Sequence, residues 1–243
     1  MSGKLKRIGI LGGSSDQATS DYYTRLNAAV RLRLGGWNTA ELIITSMNFA
    51  FSADCVRSGN WDAMADYLSD RARGLQAGGA DVFLCVSNTL HKVADRFVAS
   101  VDIPFLHIAD STGRDIQRQG LKKVSLLGTK QVMEGDHIKR RLVDNFRIET
   151  IVPTEEERTD VDRIIFDELC QGVFTESSKA RYLQIVDRLA AEGAEGAILG
   201  CTEIPLLIAQ ADRPGHPMFD TTGLHVEEAV DFSIGTNSFS LAP

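Results

Sequence analysis

Two stretches decide the fold: LQAGGADVFLCVSNT at residues 75–89 and LAAEGAEGAILGCTE at residues 189–203. Each runs from a helix end through a glycine stop into an apolar run of strand length, and then into a polar turn. With Leu75 laid on Leu189, Ser87 falls on Cys201, an offset of 114 residues, and Ala77, Gly79 and Ala80 recur as Ala191, Gly193 and Ala194. Two further pairs keep nearly the same spacing. Ile8-Gly9-Ile10-Leu11-Gly12 matches Val124-Ser125-Leu126-Leu127-Gly128 at 116, and Pro104-Phe105-Leu106-His107 matches Pro217-Met218-Phe219-Asp220 at 113. Any two strand–helix units share some pattern, but three matches in chain order at almost one offset point to a duplicated half.

Outward from these stretches, eight short apolar runs read as strands: 7–11, 42–47, 81–86, 103–108, 123–127, 148–152, 196–199 and 216–219. A helix is expected from near Asp16, and segments of 3.6-residue periodicity lie between other runs, as at 61–77 and 179–192. Near-continuous apolar strands separated by helices form parallel sheets covered on both faces. The expectation is an α/β protein of two pseudo-symmetric domains, each a mainly parallel four-stranded sheet flanked by helices. Residues 1–112 with 220–243 make the first domain and 113–219 the second. Ligands of such sheets bind beyond the carboxyl ends of the strands. A cleft between the two halves then sets Ser87-Asn88-Thr89 and Cys201-Thr202-Glu203 on opposite sides of a ligand.

Composition narrows the function. The chain has 243 residues, 43% hydrophobic and 24% charged, which is globular rather than disordered. No apolar run approaches the roughly 18–20 residues of a membrane span. The apolar run near the N-terminus is shorter than the roughly 7–15 residues of a signal peptide, so a cytoplasmic protein is expected. Net charge is −7 and the basic clusters are short, 4–7 and 139–141, which argues against a nucleic-acid partner. The four cysteines make no CxxC pair, and reduced thiols are expected. No GxGxxG, Walker A, HExxH or GxSxG pattern is present, and the five histidines lack metal-ligand spacing, so no metal is expected.

What remains is a thiol at a strand end. Cys201 precedes Thr202-Glu203-Ile204-Pro205, where a helix start would lower its pKa from about 8.5 through backbone N–H groups, with Thr202 as a further donor. The alternative is a buried structural cysteine, which is the reading for Cys55, Cys85 and Cys170.

Gly12-Gly13, Ser87-Asn88-Thr89 and Gly200-Cys201-Thr202-Glu203 resemble the aspartate/glutamate racemase superfamily. The likeness covers nearly the whole chain, including Phe105 to Asp110, Leu126 to Thr129 and Phe219 to Thr221. It implies two Rossmann-like domains, a homodimer, a small amino-acid substrate, and racemisation without pyridoxal phosphate or any other cofactor. One residue removes the α-proton from one face and its counterpart returns a proton to the other. Carried onto this chain, Cys201 is the base for L-substrates and Ser87 holds the opposite face. Ser14, Asn48, Asn88, Thr89, Thr129 and Thr202 are candidates for holding the substrate, and Glu203 for polarising the Cys201 turn. For Ser14 and Thr129 an N-cap role is the competing expectation, and for His107 a place near the site competes with one in the core.

Two departures matter. The superfamily's Cys-Asn-Thr is Ser87-Asn88-Thr89 here, and a hydroxyl is a far poorer base than a thiol, so turnover from L to D is expected to outrun the reverse. Cations for a distal carboxylate are also missing from their usual places. Cys170-Gln171-Gly172 stands where a lysine precedes the glycine, and after the second strand no arginine occurs before Arg57. Lys179 and Arg181 are either substitutes or part of a solvated helix face, and Met47 and Phe49 suit a less polar side chain. A one-thiol decarboxylase or cis–trans isomerase of the same superfamily, and a non-catalytic carboxylate binder, remain as alternative readings.

Overall fold

The computed structural model describes residues 5–236. The chain divides into two compact units, Met1–His107 with His225–Pro243, and Ile108–Leu224. The divisions thus fall after His107 and Leu224 rather than after residues 112 and 219. The reason is packing: Ile108, Ala109 and Leu224 join a core with Val124, Leu126 and Phe219, all of the second unit.

In the first unit, β1 (Ile8–Gly12) leads to α1 (Asp16–Leu34), then β2 (Leu42–Ser46), α2 (Phe49–Ser58), α3 (Trp61–Ala77) and β3 (Val82–Cys85). A 3₁₀ turn over Thr89–Val93, α4 (Ala94–Val98) and β4 (Phe105–Leu106) follow. The strands lie in the order β2-β1-β3-β4, all parallel. Both faces are buried. Ile8, Ile10, Val82 and Leu84 point to one side, with Tyr22, Leu26 and Val30 of α1. Leu11, Phe83 and Cys85 point to the other, with Met64, Leu68 and Leu75 of α3. Two-sided burial is why these strands read as continuous apolar runs.

The second unit repeats the plan. It runs α5 (Ile108–Arg118), β5 (Lys123–Gly128), α6 (Lys130–Glu134), α7 (His137–Phe146), β6 (Glu149–Ile151), α8 (Glu155–Asp167) and α9 (Glu176–Ala191). It continues through β7 (Ala197–Gly200), α10 (Ile204–Leu207) and β8 (Met218–Asp220) into α11 (Thr221–Ile234). The order β6-β5-β7-β8, again all parallel, reproduces the first sheet strand for strand. From His225 onward α11 belongs to the first unit, where Val226, Ala229 and Val230 pack on the face shared with α1.

All eight strands occur, several of them shorter than expected. β4 keeps only two residues, since Pro104 carries no N–H to donate and α5 already begins at Ile108. Helix α9 starts at Glu176 rather than 179, because the Thr175 side chain caps it by accepting from the Ser178 N–H at 3.1 Å. Among the described residues no helix is long and apolar enough to cross a membrane.

Glycine is demanded at three positions at the sheets' carboxyl ends. Gly13 has φ +86°, and a Cβ there would lie 2.3 Å from the Met47 backbone N and O. Gly128 and Gly200 face each other across β5 and β7, where a Cβ on Gly128 would meet the Gly200 carbonyl at 2.8 Å. Gly13→Ala therefore combines a left-handed strain with a backbone clash. It should destabilise the protein by about 2–4 kcal/mol, seen as a lower urea midpoint at unchanged slope.

Candidate active site

In the second unit the chain leaves β7 at Gly200 and places Cys201, Thr202 and Glu203 at the sheet's carboxyl edge. Cys201 is half-buried, and its thiol donates to Glu203 Oε2 at 3.0 Å. The Thr202 hydroxyl donates to the same oxygen at 2.6 Å. Glu203 is only 5% exposed. One buried carboxylate thus collects a thiol and a hydroxyl, both donors a carboxylate oxygen accepts strongly.

This arrangement reverses the sequence expectation for the thiol. The helix that follows is one short turn, Ile204–Leu207, with Pro205 in its first positions. Burial pushes the Cys201 thiol well above its usual range, and the Glu203 charge and hydrogen bond push the same way. The Glu203 N–H pulls the other way and loses. Thr202 turns its hydroxyl to Glu203 as well. Cys170, in the 3₁₀ turn over Leu169–Gln171, packs against the same core as Cys201. Burial, with a smaller contribution from Glu203, pushes its thiol up to about 12. Beneath them Tyr182 is fully buried and donates to the Val161 carbonyl at 3.2 Å.

Thr129 follows β5 and stands at the N-cap position of α6 without a side-chain capping bond. Because Gly128 is paired with Gly200, Thr129 continues the strand beside Cys201. Lys130 comes next, held by its backbone N–H on Asp162 Oδ1 at 2.7 Å. Sequence reasoning passed over Lys130, although a lysine directly after a strand-end Gly-Thr was visible. Among the described residues it makes no ion pair. The cations singled out from the sequence are occupied: Lys179 by Asp212 at 2.7 Å, Arg181 by Asp160 at 2.8 Å, Arg57 by Asp54 at 2.5 Å.

The first unit gathers Ser14, Asn48 and the Ser87-Asn88-Thr89 turn at the equivalent edge, after β1, β2 and β3. Ser14 does not cap α1. Ser15 does, accepting from the Ala18 N–H at 3.0 Å, while the Ser14 hydroxyl donates to the Val86 carbonyl. Asn48 is exposed and caps α2, its side-chain oxygen accepting from the Ala50 N–H at 3.1 Å. Ser87 is half-buried, and its Oγ accepts from the Leu90 N–H at 3.3 Å. Asn88 is buried and Thr89 half-buried beside it. His107 lies in the core, ring against His91. Met47 is buried and Phe49 exposed. Among the described residues no group of His, Cys, Asp and Glu is placed to hold a metal ion.

The family model described as Asp/Glu/hydantoin racemase matches residues 8–229. The chain belongs to that family. Relatives of known structure span it almost completely. One is a Yersinia pestis protein named as a candidate Asp/Glu racemase, at 40% identity and TM-score 0.89, covering 95% of this chain and all of that one. Another, an aspartate racemase homologue from Pyrococcus horikoshii OT3, shares 33% identity at TM-score 0.83, over 94% of this chain and 99% of that one. The broad specificity amino-acid racemase RacX of Bacillus subtilis (strain 168) is 27% identical over 141 residues, 57% of this chain. This chain spans 61% of that relative's length.

In this member of the racemase family the thiol at the second strand edge is held protonated by burial and by a neighbouring charge. Glu203→Gln removes the charge, so the Cys201 pKa should fall and thiolate should form at lower pH. Alkylation of the Cys201 peptide by iodoacetamide, followed by mass spectrometry, should shift its pH–rate profile downward. An upward shift would mean that Glu203 helps the thiolate rather than the thiol.

Proposed function

We propose that this protein is a cofactor-independent amino-acid racemase acting on aspartate or glutamate, with Cys201 as the base for the L-enantiomer and Ser87 serving the opposite face. The bond from the Cys201 thiol to the buried Glu203 carboxylate carries this reading. Glu203 takes the thiol proton, and the resulting thiolate removes the α-proton of the L-substrate. The carbanion is stabilised by hydrogen bonds to its carboxylate, the logic of an oxyanion hole. Thr129, Asn88, Thr89 and the backbone N–H of Thr202 are the proposed donors, each just past a strand end, the Thr202 hydroxyl being given to Glu203. Ser14 and Asn48 serve less directly, since the Ser14 hydroxyl is given to Val86 and the Asn48 oxygen to the α2 cap. Ser87 then gives its hydroxyl proton to the other face, and its oxygen recovers a proton from water while Glu203 returns its own to solvent.

A hydroxyl on one side does not make net turnover directional. The two enantiomers have equal free energy in water, so kcat/KM must be equal in the two directions, which replaces the expectation of a faster L-to-D reaction. The asymmetry appears in isotope exchange instead. Cys201 can remove and return the L-enantiomer's proton many times before Ser87 completes one inversion. In deuterated water, wash-out of the L-aspartate α-proton should therefore outrun interconversion. Cys201→Ser should lower both by about 10²–10⁴-fold, whereas Ser87→Ala should suppress inversion and spare the wash-out. Wash-out and inversion at equal rates, or release of CO₂, would overturn the mechanism.

Lys130 is the proposed partner for the acidic side chain of the substrate, beside Thr129, with Asp162 holding its backbone N–H. Lys130→Met should raise KM for aspartate about tenfold or more and leave KM for alanine unchanged; an unchanged KM for aspartate removes Lys130 from the site. The resemblance extends the proposal to a cytoplasmic homodimer, which analytical ultracentrifugation would check.

A further inference from the structure

Beneath Ser87 lies a feature the chemistry above leaves unused: three buried histidines, His91, His107 and His225, in ring contact. The His91 and His107 centroids are 4.4 Å apart, and those of His91 and His225 are 6.3 Å apart. All three are at most 5% exposed. His91, in the 3₁₀ turn after β3, has Nδ1 2.6 Å from the Ser87 carbonyl oxygen. A carbonyl can only accept, so Nδ1 carries the proton. His225 is held at both nitrogens, Nε2 on the Leu106 carbonyl at 2.9 Å and Nδ1 on the Tyr22 hydroxyl at 3.0 Å. By the same logic Nε2–H donates, and in the neutral ring Nδ1 accepts from tyrosine. The column therefore rests on β4, α1 and α11.

Beyond β3 the chain has left the ladder, and its carbonyls need new partners. Side chains supply them in succession: Ser14 donates to Val86 and His91 donates to Ser87. The geometry also shows what His91 does not do. Its Nδ1 is spent on the main chain, while the Ser87 Oγ accepts from the Leu90 N–H, so the pair is no serine–histidine base.

We propose that His91 is a positioning residue for the racemisation, fixing the main chain of Ser87 through its Nδ1–H while His107 and His225 lock its ring from behind. This role rests on the racemase reading and deepens it. A misplaced group of this kind slows only the step that uses it, here inversion at the Ser87 face. Wash-out of the L-aspartate α-proton uses Cys201, Glu203 and the carbanion donors but not the Ser87 hydroxyl, so it is the reference against which inversion is read.

The test compares His91→Phe, which keeps a ring and loses the donor, with His91→Asn, whose side-chain N–H sits where Nδ1–H sat. With L- and D-aspartate in deuterated water, the phenylalanine variant should lose about ten- to hundredfold in the ratio of interconversion to L wash-out. The asparagine variant should recover most of the loss. Circular dichroism checks that both fold. An unchanged ratio of inversion to wash-out in His91→Phe, or no rescue by asparagine, overturns the role while leaving the racemase intact. A native enzyme that washes out no α-proton overturns both. NMR of ¹⁵N-histidine-labelled protein gives a readout independent of turnover: His91 must be the Nδ1–H tautomer, and an Nε2–H tautomer overturns the contact itself.

Discussion

Parallel strands begin at one edge of a sheet and end at the other, so every turn that follows a strand collects at the carboxyl edge. In this protein that constraint operates twice, on sheets of identical strand order. Helices must carry the chain back each time, both faces become covered, and polar residues find room only beyond the strand ends. The close approach of Gly128 to Gly200, where a methyl group would strike a carbonyl, belongs to the same requirement. It brings Thr129 and Cys201 out side by side. Remove that approach and the residues of the second unit's edge no longer share one rim.

At that rim two electrostatic effects compete over a single sulfur. Backbone N–H groups favour the thiolate, while burial and the Glu203 carboxylate favour the thiol, and the latter prevail. The carboxylate that stabilises the resting thiol is also in place to receive its proton, so the effect that raises the pKa supplies a route for ionisation. Among the described residues Ser87 has no such pair: its hydroxyl oxygen accepts a backbone N–H and its carbonyl is tied to His91. Equivalent positions in a duplicated fold have thus acquired different local chemistry.

Much of the architecture was legible because it rests on local rules. The apolar runs and glycine stops announced eight strands, and the residue-for-residue echo of 75–89 in 189–203 announced the repeat. The edges of elements were less legible. Whether Ser14 or Ser15 caps α1 depends on where the Val86 carbonyl sits, 72 residues away. Asn48 looked available until the α2 turn used its oxygen. Whether Lys179 and Arg181 were substitute cations or part of a solvated helix face depended on Asp212 and Asp160 beside them. Each of these depends on a neighbour that no spacing rule identifies.

The amino-acid order alone determined the strand–helix alternation, the duplication and the candidacy of positions 87 and 201, because periodicity and turn chemistry act over a few residues. Tertiary structure decided which of the candidate side chains are already engaged, the direction in which the Cys201 proton equilibrium is displaced, and the convergence of His91, His107 and His225 under Ser87. Those outcomes depend on burial and on partners distant in sequence: a carboxylate shifts a thiol, and a carbonyl selects a histidine tautomer, only once folding has set them a few ångströms apart and excluded the water between them.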